Sequence, residues 1–571
     1  MLSAGSHTSI ENQAADLNTS NGHQPTAKAL VGFPRANLGI GLDVNHPGNS
    51  SAQITGIAIA GLPNGSRFFP GPPACWPKEV LASLSDPEIR KVGYGLKRDI
   101  LLLSKCGIEV HGGLFDVAIA NTLITGGRHR VQDECSALAA KERALTCLHK
   151  QDELCPQLQG LKLTKSFHDV EMPLIPVLAA MEREGIRVDK DSLLTQRGTL
   201  ANFIEATQAS VNALAGRGVD LDSLQDVGKL LFEQLRINDK PRKTRTGQYA
   251  TEADTLQAVV NKHPVVQQIL DYRERITLLR GYLEQLPEAI NSTTGRIHTT
   301  FESNDTATGR LSSKNPNLQN IPIRSALGRE IRKAFLSKSA DYLLLSADYS
   351  QIELRVLASL SREESLIAAF LAGDDIHSTT AARVFGTTLE KVTAEMRAKA
   401  KMVNYGISYG MSADGLAHRL GISRTAAAEF IDQYFENFPG LRRYMRDIIK
   451  FARKNGFIQT MTGRRRYLAE INASNINARK AAQRNAINSP IQGTAAEMIK
   501  LAMVNIHREL KARHLRSRLL LQVHDELVLD VYRPEKMEVT ELVAENMKTA
   551  LRLEVPVAIF IGTGSNWLEA H

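Results

Sequence analysis

Cysteine is scarce: five in 571 residues (Cys75, Cys106, Cys135, Cys147 and Cys155), an odd number with no CxxC pair. That argues against a disulfide framework and a thiolate zinc site, and suits the reduced thiols of an intracellular protein. Long apolar runs are missing too, so no segment is expected to span a membrane. The opening residues 1–35 contain no arginine before Arg35 and carry Glu11 and Asp16. A transit peptide is Arg-rich and poor in acids, so organellar targeting is disfavoured. Rich in Ser, Asn, Gln, Thr and Ala, this stretch reads as a disordered tail. No helix-turn-helix or zinc finger pattern occurs, and base-specific readout of a duplex is not expected.

What the chain does have is length and positive charge. At 571 residues it is too long for one hydrophobic core, so several domains are expected, and its formal net charge is +9. A surplus of that size favours a polyanionic partner.

The chemistry concentrates in three stretches. In the first, Tyr342-Leu343-Leu344-Leu345-Ser346-Ala347-Asp348 is an apolar run ending in a carboxylate, followed at once by helical spacing; it reads as a buried strand that delivers Asp348 to an edge. In the second, two apolar runs, Arg518-Leu519-Leu520-Leu521-Gln522-Val523 and Leu527-Val528-Leu529-Asp530-Val531, flank His524-Asp525-Glu526. They read as a β-hairpin whose turn lacks the usual Gly or Asn, which suggests that its acids serve chemistry. If the hairpin pairs beside the first strand, Asp348 and Asp525 project together and could hold two divalent cations about 3.5–4 Å apart for in-line phosphoryl transfer. Oxygen-only ligands suit Mg²⁺ or Mn²⁺. Taken singly, Asp348 could instead cap a helix and Asp525 solvate a turn. In the third stretch, Arg397, Lys401 and Tyr405 recur at four-residue spacing on one helical face, a pattern that could clamp a polyphosphate and stack a base. A solvated basic face with Tyr405 in the core is the alternative.

The N-terminal part is patterned differently. Residues 38–43 and 54–60 read as paired strands, and Lys91-Val92-Gly93 and Gly113-Leu114-Phe115-Asp116 each lead into a helix, giving an α/β unit.

Together the motifs Asp348-Tyr349-Ser350-Gln351-Ile352-Glu353-Leu354-Arg355, the Arg397-x3-Lys401-x3-Tyr405-Gly406-x2-Tyr409-Gly410 helix and Val523-His524-Asp525-Glu526 resemble, in order and spacing, the polymerase motifs of family A DNA polymerases. The resemblance, to the large Klenow-type fragment of bacterial polymerase I, is dense from about residue 171 onward. Further matching stretches are Thr308-Gly309-Arg310, Asp375-Ile376-His377, Gly463-Arg464-Arg465 and 484–495.

It implies an α/β RNase H-like exonuclease domain over 36–165 and an α+β right-hand polymerase domain over 166–571. Within the latter, the thumb would span about 185–290, the palm about 296–370 and 500–571, and the fingers about 371–499, with strands over 518–531 and then 555–560 completing the palm sheet. It implies a DNA-directed DNA polymerase of replication or repair, working on primer-template DNA and dNTPs with two Mg²⁺ (or Mn²⁺) ions. The enzyme would be a monomer with no membrane partner, cytoplasmic at the nucleoid in a bacterium, and no processivity factor is identified. No 5′-nuclease domain and no extra C-terminal module are expected.

Carried onto this chain, the resemblance makes Asp348, Asp525, Glu526 and Lys401 catalytic, with metal held by Asp348, Asp525 and the Tyr349 carbonyl. Arg397, Lys401, Tyr405, His377, Gln351 and Glu353 would bind the dNTP. Glu353 would crowd the sugar 2′ position, and the Tyr405 hydroxyl would favour use of dideoxynucleotides. Arg310, Tyr409, Arg484, Asn488, Gln492 and His524 would hold template and primer, and the basic loop 240–247 the product duplex.

The nuclease motifs depart from the family pattern. Asp43-Val44-Asn45 replaces Asp-x-Glu, Asp99 matches the second motif, and Leu138 and Glu142 stand for the third motif's Tyr and Asp. Proofreading is therefore expected to be lost or feeble. Three other readings stay open: a working 3′→5′ exonuclease that also polymerises, a non-catalytic nucleic-acid binder, and a single-subunit RNA polymerase.

Overall fold

A computed structural model of the chain describes residues 37–45, 52–62, 64–127, 134–238, 240–244, 246–323 and 325–571. The tail expected over 1–35 lies outside the described residues, as do Asp239 and Arg245 at the basic loop. Among the described residues, no helix is long and apolar enough to cross a membrane.

In the N-terminal unit, Leu38, Ile40 and Leu42 are all buried along β1 (Asn37–Asn45). It pairs antiparallel with β2 (Gln53–Gly61) as expected, and β3 (Gly65–Pro70), β4 (Arg90–Gly93) and β5 (Leu114–Asp116) complete a sheet of order β3-β2-β1-β4-β5. Helices α1 (Leu96–Lys105) and α2 (Val117–Thr125) follow β4 and β5, where the sequence placed them. A third helix, α3 (Ala140–Gly160), lies directly on β1: a Cβ on Gly39 would come within 2.3 Å of the Ala144 carbonyl oxygen, and one on Gly41 within 2.7 Å of that of Ala140. Glycine at both positions is what permits this approach.

The segment expected as a thumb is largely helical. It follows α4 (Met172–Glu184) and is built on α5 (Lys190–Ala215) and α6 (Pro264–Leu278). Part of it closes around its own apolar cluster, in which Val211, Leu230, Leu256 and Ile269 are fully buried.

The largest core surrounds β6 (Tyr342–Tyr349), whose Leu344, Leu345 and Ala347 have no exposed surface. Burial on both faces explains a continuous apolar run where a half-exposed strand would alternate. Beyond β6 come α7 (Ile352–Ser361), α8 (Ile376–Val384), α9 (Ala394–Ser408) and α10 (Pro439–Asn455), then a small hairpin, β7 (Phe457–Gln459) with β8 (Arg465–Tyr467). Helix α11 (Ile476–Ala512) follows, with β9 (Arg518–Val523), β10 (Glu526–Tyr532), β11 (Ile559–Gly564) and α12 (Trp567–Ala570). The sheet order is β9-β10-β6-β11, with β6 antiparallel to both neighbours.

Two expectations need correction. The strand expected over 555–560 runs instead over Ile559–Gly564. Pro556 has no N–H for a ladder bond, and its carbonyl accepts from Arg355 Nη1 at 2.5 Å, so pairing starts after it. The boundary placed between 499 and 500 falls inside α11, which continues for 37 residues with Pro490 in its interior.

Candidate active site

The hairpin pairs with β6 in a register that sets Asp348 opposite Glu526, and the Tyr349 N–H donates to the Asp525 carbonyl at 3.2 Å. Asp525 thus stands at the tip, next to the end of β6. The two-residue turn costs backbone strain, because His524 adopts φ +55° without being glycine. Hydrogen bonds hold it: Gln522 Nε2 donates to the His524 carbonyl at 2.6 Å, and Gln319 Nε2 to Gln522 Oε1 at 3.0 Å. On the other side, Gln351 takes φ +53° as the residue before α7. Asp348 is therefore not the cap of that helix.

Asp348 and Asp525 face a cavity of about 440 Å³. Burial, and then the negative charge of Glu526, push Asp348 up to about 6. Burial also pushes Asp525 up to about 6, with Glu353 and Asp348 adding to the rise and Arg310 opposing it. Neither carboxylate has an ion-pair partner among the described residues. Two hard, under-compensated carboxylates form a donor pair that fits a divalent cation of the Mg²⁺ class.

Glu526 is different. Its Oε1 accepts from Ser346 Oγ at 2.6 Å and Trp567 Nε1 at 2.8 Å, with His571 Nδ1 at 3.4 Å, while Arg332 lies 3.7 Å from Oε2. Burial alone would raise its pKa, but the His571, Ser346 and Trp567 bonds, with Arg332, hold it below the usual carboxylate range. Glu526 thus braces β6, β10 and α12. Among the described residues no three His, Cys, Asp or Glu side chains converge as a metal cluster.

A prediction follows for Glu526→Gln. It should destabilise the protein by about 1–3 kcal/mol at neutral pH, because charged hydrogen bonds are replaced by neutral ones and Arg332 loses its counter-charge. Since the folded pKa is depressed, that stability is present above the unfolded value near 4.5 and is lost as pH falls through the folded pKa. Denaturant melts of wild type and variant at neutral and acid pH should converge at the acid end.

The other expected residues divide into those that line the cavity and those set back from it. Arg310, Tyr349, Gln351, Glu353, Tyr405, Tyr409 and His524 line it with the two aspartates. Glu353 is its organiser: Oε1 accepts from Arg310 Nη2 at 2.5 Å, and Oε2 from the Tyr409 hydroxyl. The Tyr405 and Tyr409 rings stack with centroids 6.5 Å apart. The Tyr349 hydroxyl donates to the Met547 carbonyl at 2.8 Å.

Arg397, Lys401 and Tyr405 do share α9. The Arg397 guanidinium is held by Asp375 at 2.6 Å, and Asp375 also caps α8. Although burial works against it, the Arg397 and Ser378 hydrogen bonds bring Asp375 down to about 2. Lys401 is exposed and has no protein partner among the described residues. His377 departs from expectation. It is 2% exposed, packed against Asn404 Nδ2 at 3.1 Å, and lowered to about 4, chiefly by burial. Sequence reasoning passed over both Asp375 and Asn404, although each lay within a recognised motif.

On α11, Arg484 is exposed, Asn488 and Gln492 are half-buried, and Asn488 Nδ2 donates to the Tyr409 carbonyl at 3.2 Å. This face therefore adjoins the cavity without lining it.

The nuclease-motif residues are engaged otherwise. Asp43 Oδ2 accepts from Thr55 Oγ1 at 2.8 Å, and Asn45 Oδ1 from the Gln53 N–H at 2.7 Å. Asp99 is 1% exposed; burial raises it, while Arg98 (Nη2 to Oδ1, 2.8 Å) and the Arg143 charge oppose the rise. Arg143 bridges the Leu42 carbonyl (2.5 Å) and the Leu138 carbonyl (3.1 Å). Leu138 is half-buried and Glu142 exposed on the first turn of α3. A guanidinium thus stands beside Asp99. Sequence spacing gave no sign of Arg143.

The family model of DNA polymerase family A matches residues 190–569. DNA polymerase I of Caldicellulosiruptor bescii is 45% identical over 403 residues, 71% of this chain and 47% of that protein. That of Geobacillus stearothermophilus is 39% identical over 552 residues, covering 91% and 62%, and the thermostable enzyme of Thermus thermophilus 41% over 500 residues, covering 86% and 59%. The chain therefore spans between 47% and 62% of the length of these curated relatives. Among solved structures, the POL domain of Pol1 from M. smegmatis, in complex with DNA primer-template and dNTP, superimposes with a TM-score of 0.88 at 38% identity, covering 94% of this chain and 96% of that one.

Proposed function

The chain belongs to DNA polymerase family A, and we propose that it is a template-directed DNA polymerase that adds dNTPs to a primer 3′-OH during DNA replication or repair. The observation that carries the reading is the pair Asp348 and Asp525, brought together at neighbouring strand ends without ion-pair partners, in a cavity that also holds Glu353, Tyr405 and Tyr409.

Asp348, Asp525 and the Tyr349 carbonyl would hold Mg²⁺ or Mn²⁺, two ions in the active complex. When bound, the metal lowers the pKa of the primer hydroxyl and offsets charge on the leaving pyrophosphate. This chain's residues orient the reaction. Arg397 releases Asp375 to take up triphosphate oxygens, and Lys401, one turn along α9, binds the same group and gives a proton to the departing pyrophosphate. Tyr405 packs beside the sugar, and Tyr409 stacks where the templating base enters. Arg310 lies against the primer terminus, and Glu353 closes the 2′ side. Arg484, Asn488, Gln492 and His524 hold the template and primer strands, and Gln351 flanks the incoming nucleotide. In a bacterial host this work belongs to the cytoplasm, at the nucleoid.

The N-terminal unit is proposed to be a scaffold with proofreading lost or feeble, since Asn45 brings no charge, Leu138 replaces a tyrosine, Glu142 is exposed and Arg143 stands beside Asp99.

Single-nucleotide addition tests the template-directed reading. Changing the first unpaired template base should change which dNTP is added. Addition that ignores that base would overturn it.

A further inference from the structure

Four charged side chains are buried together outside the reaction cavity. Glu171, Glu497 and Lys500 are each 1% exposed, and Arg464 is 8% exposed. Glu171 Oε1 accepts from Arg464 Nη1 at 2.6 Å and from Lys500 Nζ at 2.8 Å. Burial raises the Glu497 pKa, against Thr462, Thr460 and the charges of Arg464 and Lys500. Two acids thus meet two bases. Replacing such a cluster by apolar side chains of similar volume is often neutral or stabilising, so stability alone accounts poorly for it.

Its position supplies another reason. Glu171 immediately precedes α4, a helix shared by two cores: Met172, Ile175 and Ala179 pack with the N-terminal unit, and Leu174, Val177 and Met181 with the largest core. Arg464 closes the loop 460–464 between β7 and β8, where its N–H donates to Thr460 Oγ1 at 3.1 Å. This hairpin has a fixed base. The Tyr467 hydroxyl donates to the Ile124 carbonyl at 3.1 Å, and the Met461 N–H to Thr494 Oγ1 of α11 at 3.1 Å. From that base the Arg464 side chain lies along Gly309: a Cβ there would come within 2.7 Å of Nε, 3.0 Å of Cζ and 3.1 Å of Cδ. Gly309 has φ +81°, so glycine is favoured there twice over, by backbone and by space. The preceding carbonyl, that of Thr308, is met by α11, where a Cβ on Gly493 would lie 3.2 Å from its oxygen. The next residue is Arg310. Thr306 Oγ1 donates to its carbonyl at 2.6 Å, and its guanidinium reaches Glu353 in the reaction cavity. A continuous line of contacts therefore runs from Glu171 through Arg464 and Gly309 to Arg310.

We propose that Arg464, held by Glu171, is a positioning residue for Arg310. Its guanidinium fixes the Gly309 backbone from behind, and so fixes where Arg310 meets the primer terminus. This rests on the polymerase reading and adds to it two buried residues that touch neither substrate nor metal. Lysine cannot take over the task, because it keeps the charge for Glu171 but has no planar group to lie along Gly309.

The test is single-nucleotide addition by the full chain in wild type, Arg464→Lys, Arg310→Ala and the two combined, with dNTP varied so that kcat and KM separate. Arg464→Lys should lose about 10-fold in kcat, the scale of a small misplacement, with the dNTP KM little changed. Arg310→Ala should lose more. The double variant should add as slowly as Arg310→Ala alone, since no guanidinium is left to place. Glu171→Asp keeps the charge but draws the anchor back, and its loss in kcat should likewise vanish in the Arg310→Ala background; it carries the same test if Arg464→Lys does not fold. A brace of the fold alone would cut the rate by the same factor with or without Arg310. Losses that multiply in the double variants, or a wild-type kcat in both Arg464→Lys and Glu171→Asp, therefore overturn the positioning role. Wild type that adds no nucleotide under any divalent metal would instead overturn the polymerase reading.

Discussion

Asp525→Asn is expected to stop primer extension while making the metal-free protein more stable at neutral pH. Both effects come from the same electrostatics. Asp348 and Asp525 are raised from 3.8 to about 6, chiefly by burial, and each is further raised by neighbouring carboxylates. Between pH about 4 and about 6 the folded protein keeps protons that the unfolded chain releases. These groups therefore favour folding less as pH rises through that window, and their penalty is complete above about 6. An amide removes the charge, so the gain for Asp525→Asn at neutral pH should be about 1–3 kcal/mol and should vanish below pH about 4. Activity should move the other way, falling by about 10³-fold or more, since metal-assisted charge stabilisation contributes several kcal/mol to the barrier. Thermal melts add a further check. Mg²⁺ should raise the melting temperature of wild type above pH 6 and do much less for the variant. A variant that melts lower than wild type without metal at pH 7.5 would mean that these carboxylates brace the fold in the manner of Glu526.

The second large change is expected at Glu353→Ala. This carboxylate accepts from both Arg310 and the Tyr409 hydroxyl. Truncation opens the space proposed to face the sugar 2′ position and frees two residues proposed to touch the primer terminus and template. Discrimination against ribonucleotides should fall by about 10–100-fold, the size of a steric conflict of 1–3 kcal/mol. Addition of dNTPs should slow as well, because Arg310 and Tyr409 lose the acceptor that fixes them. Glu353→Gln separates the two effects, since it keeps the bulk and one acceptor oxygen: discrimination should largely survive while the rate falls. Steady-state addition of matched dNTP and rNTP to one primer measures both. Unchanged discrimination in Glu353→Ala would place the 2′ selector elsewhere.

Much of this site was legible because local pattern and tertiary position coincide. The run ending at Asp348 is apolar on both faces because its strand is central, and Arg397, Lys401 and Tyr405 lie on one face of one helix at the spacing that suggested it. The hairpin was also legible, including the oddity of its turn, which the structure explains by the positive φ of His524. What escaped was set by contacts between distant segments. Glu526 resembles Asp525 in sequence and lines the same cavity, yet Ser346, Trp567 and His571 take up its carboxylate. His377 was expected to meet a triphosphate but is sealed under Asn404, and Asp375 occupies the Arg397 guanidinium. In the N-terminal unit, pattern gave the strands and helices but not Arg143, whose place depends on how closely α3 lies on the glycines of β1. Pro490 suggests a helix break on its own, yet α11 passes through it unbroken.

The most direct measurement is extension of a 5′-labelled primer on a DNA template with Mg²⁺, comparing wild type with Asp348→Ala, with and without dNTPs. Wild type should lengthen the primer in the order the template dictates, Asp348→Ala should leave it unextended, and neither should shorten it when dNTPs are withheld. Extension that persists in Asp348→Ala, or no extension by wild type under any divalent metal, would contradict the assignment of this carboxylate pair as a DNA polymerase centre.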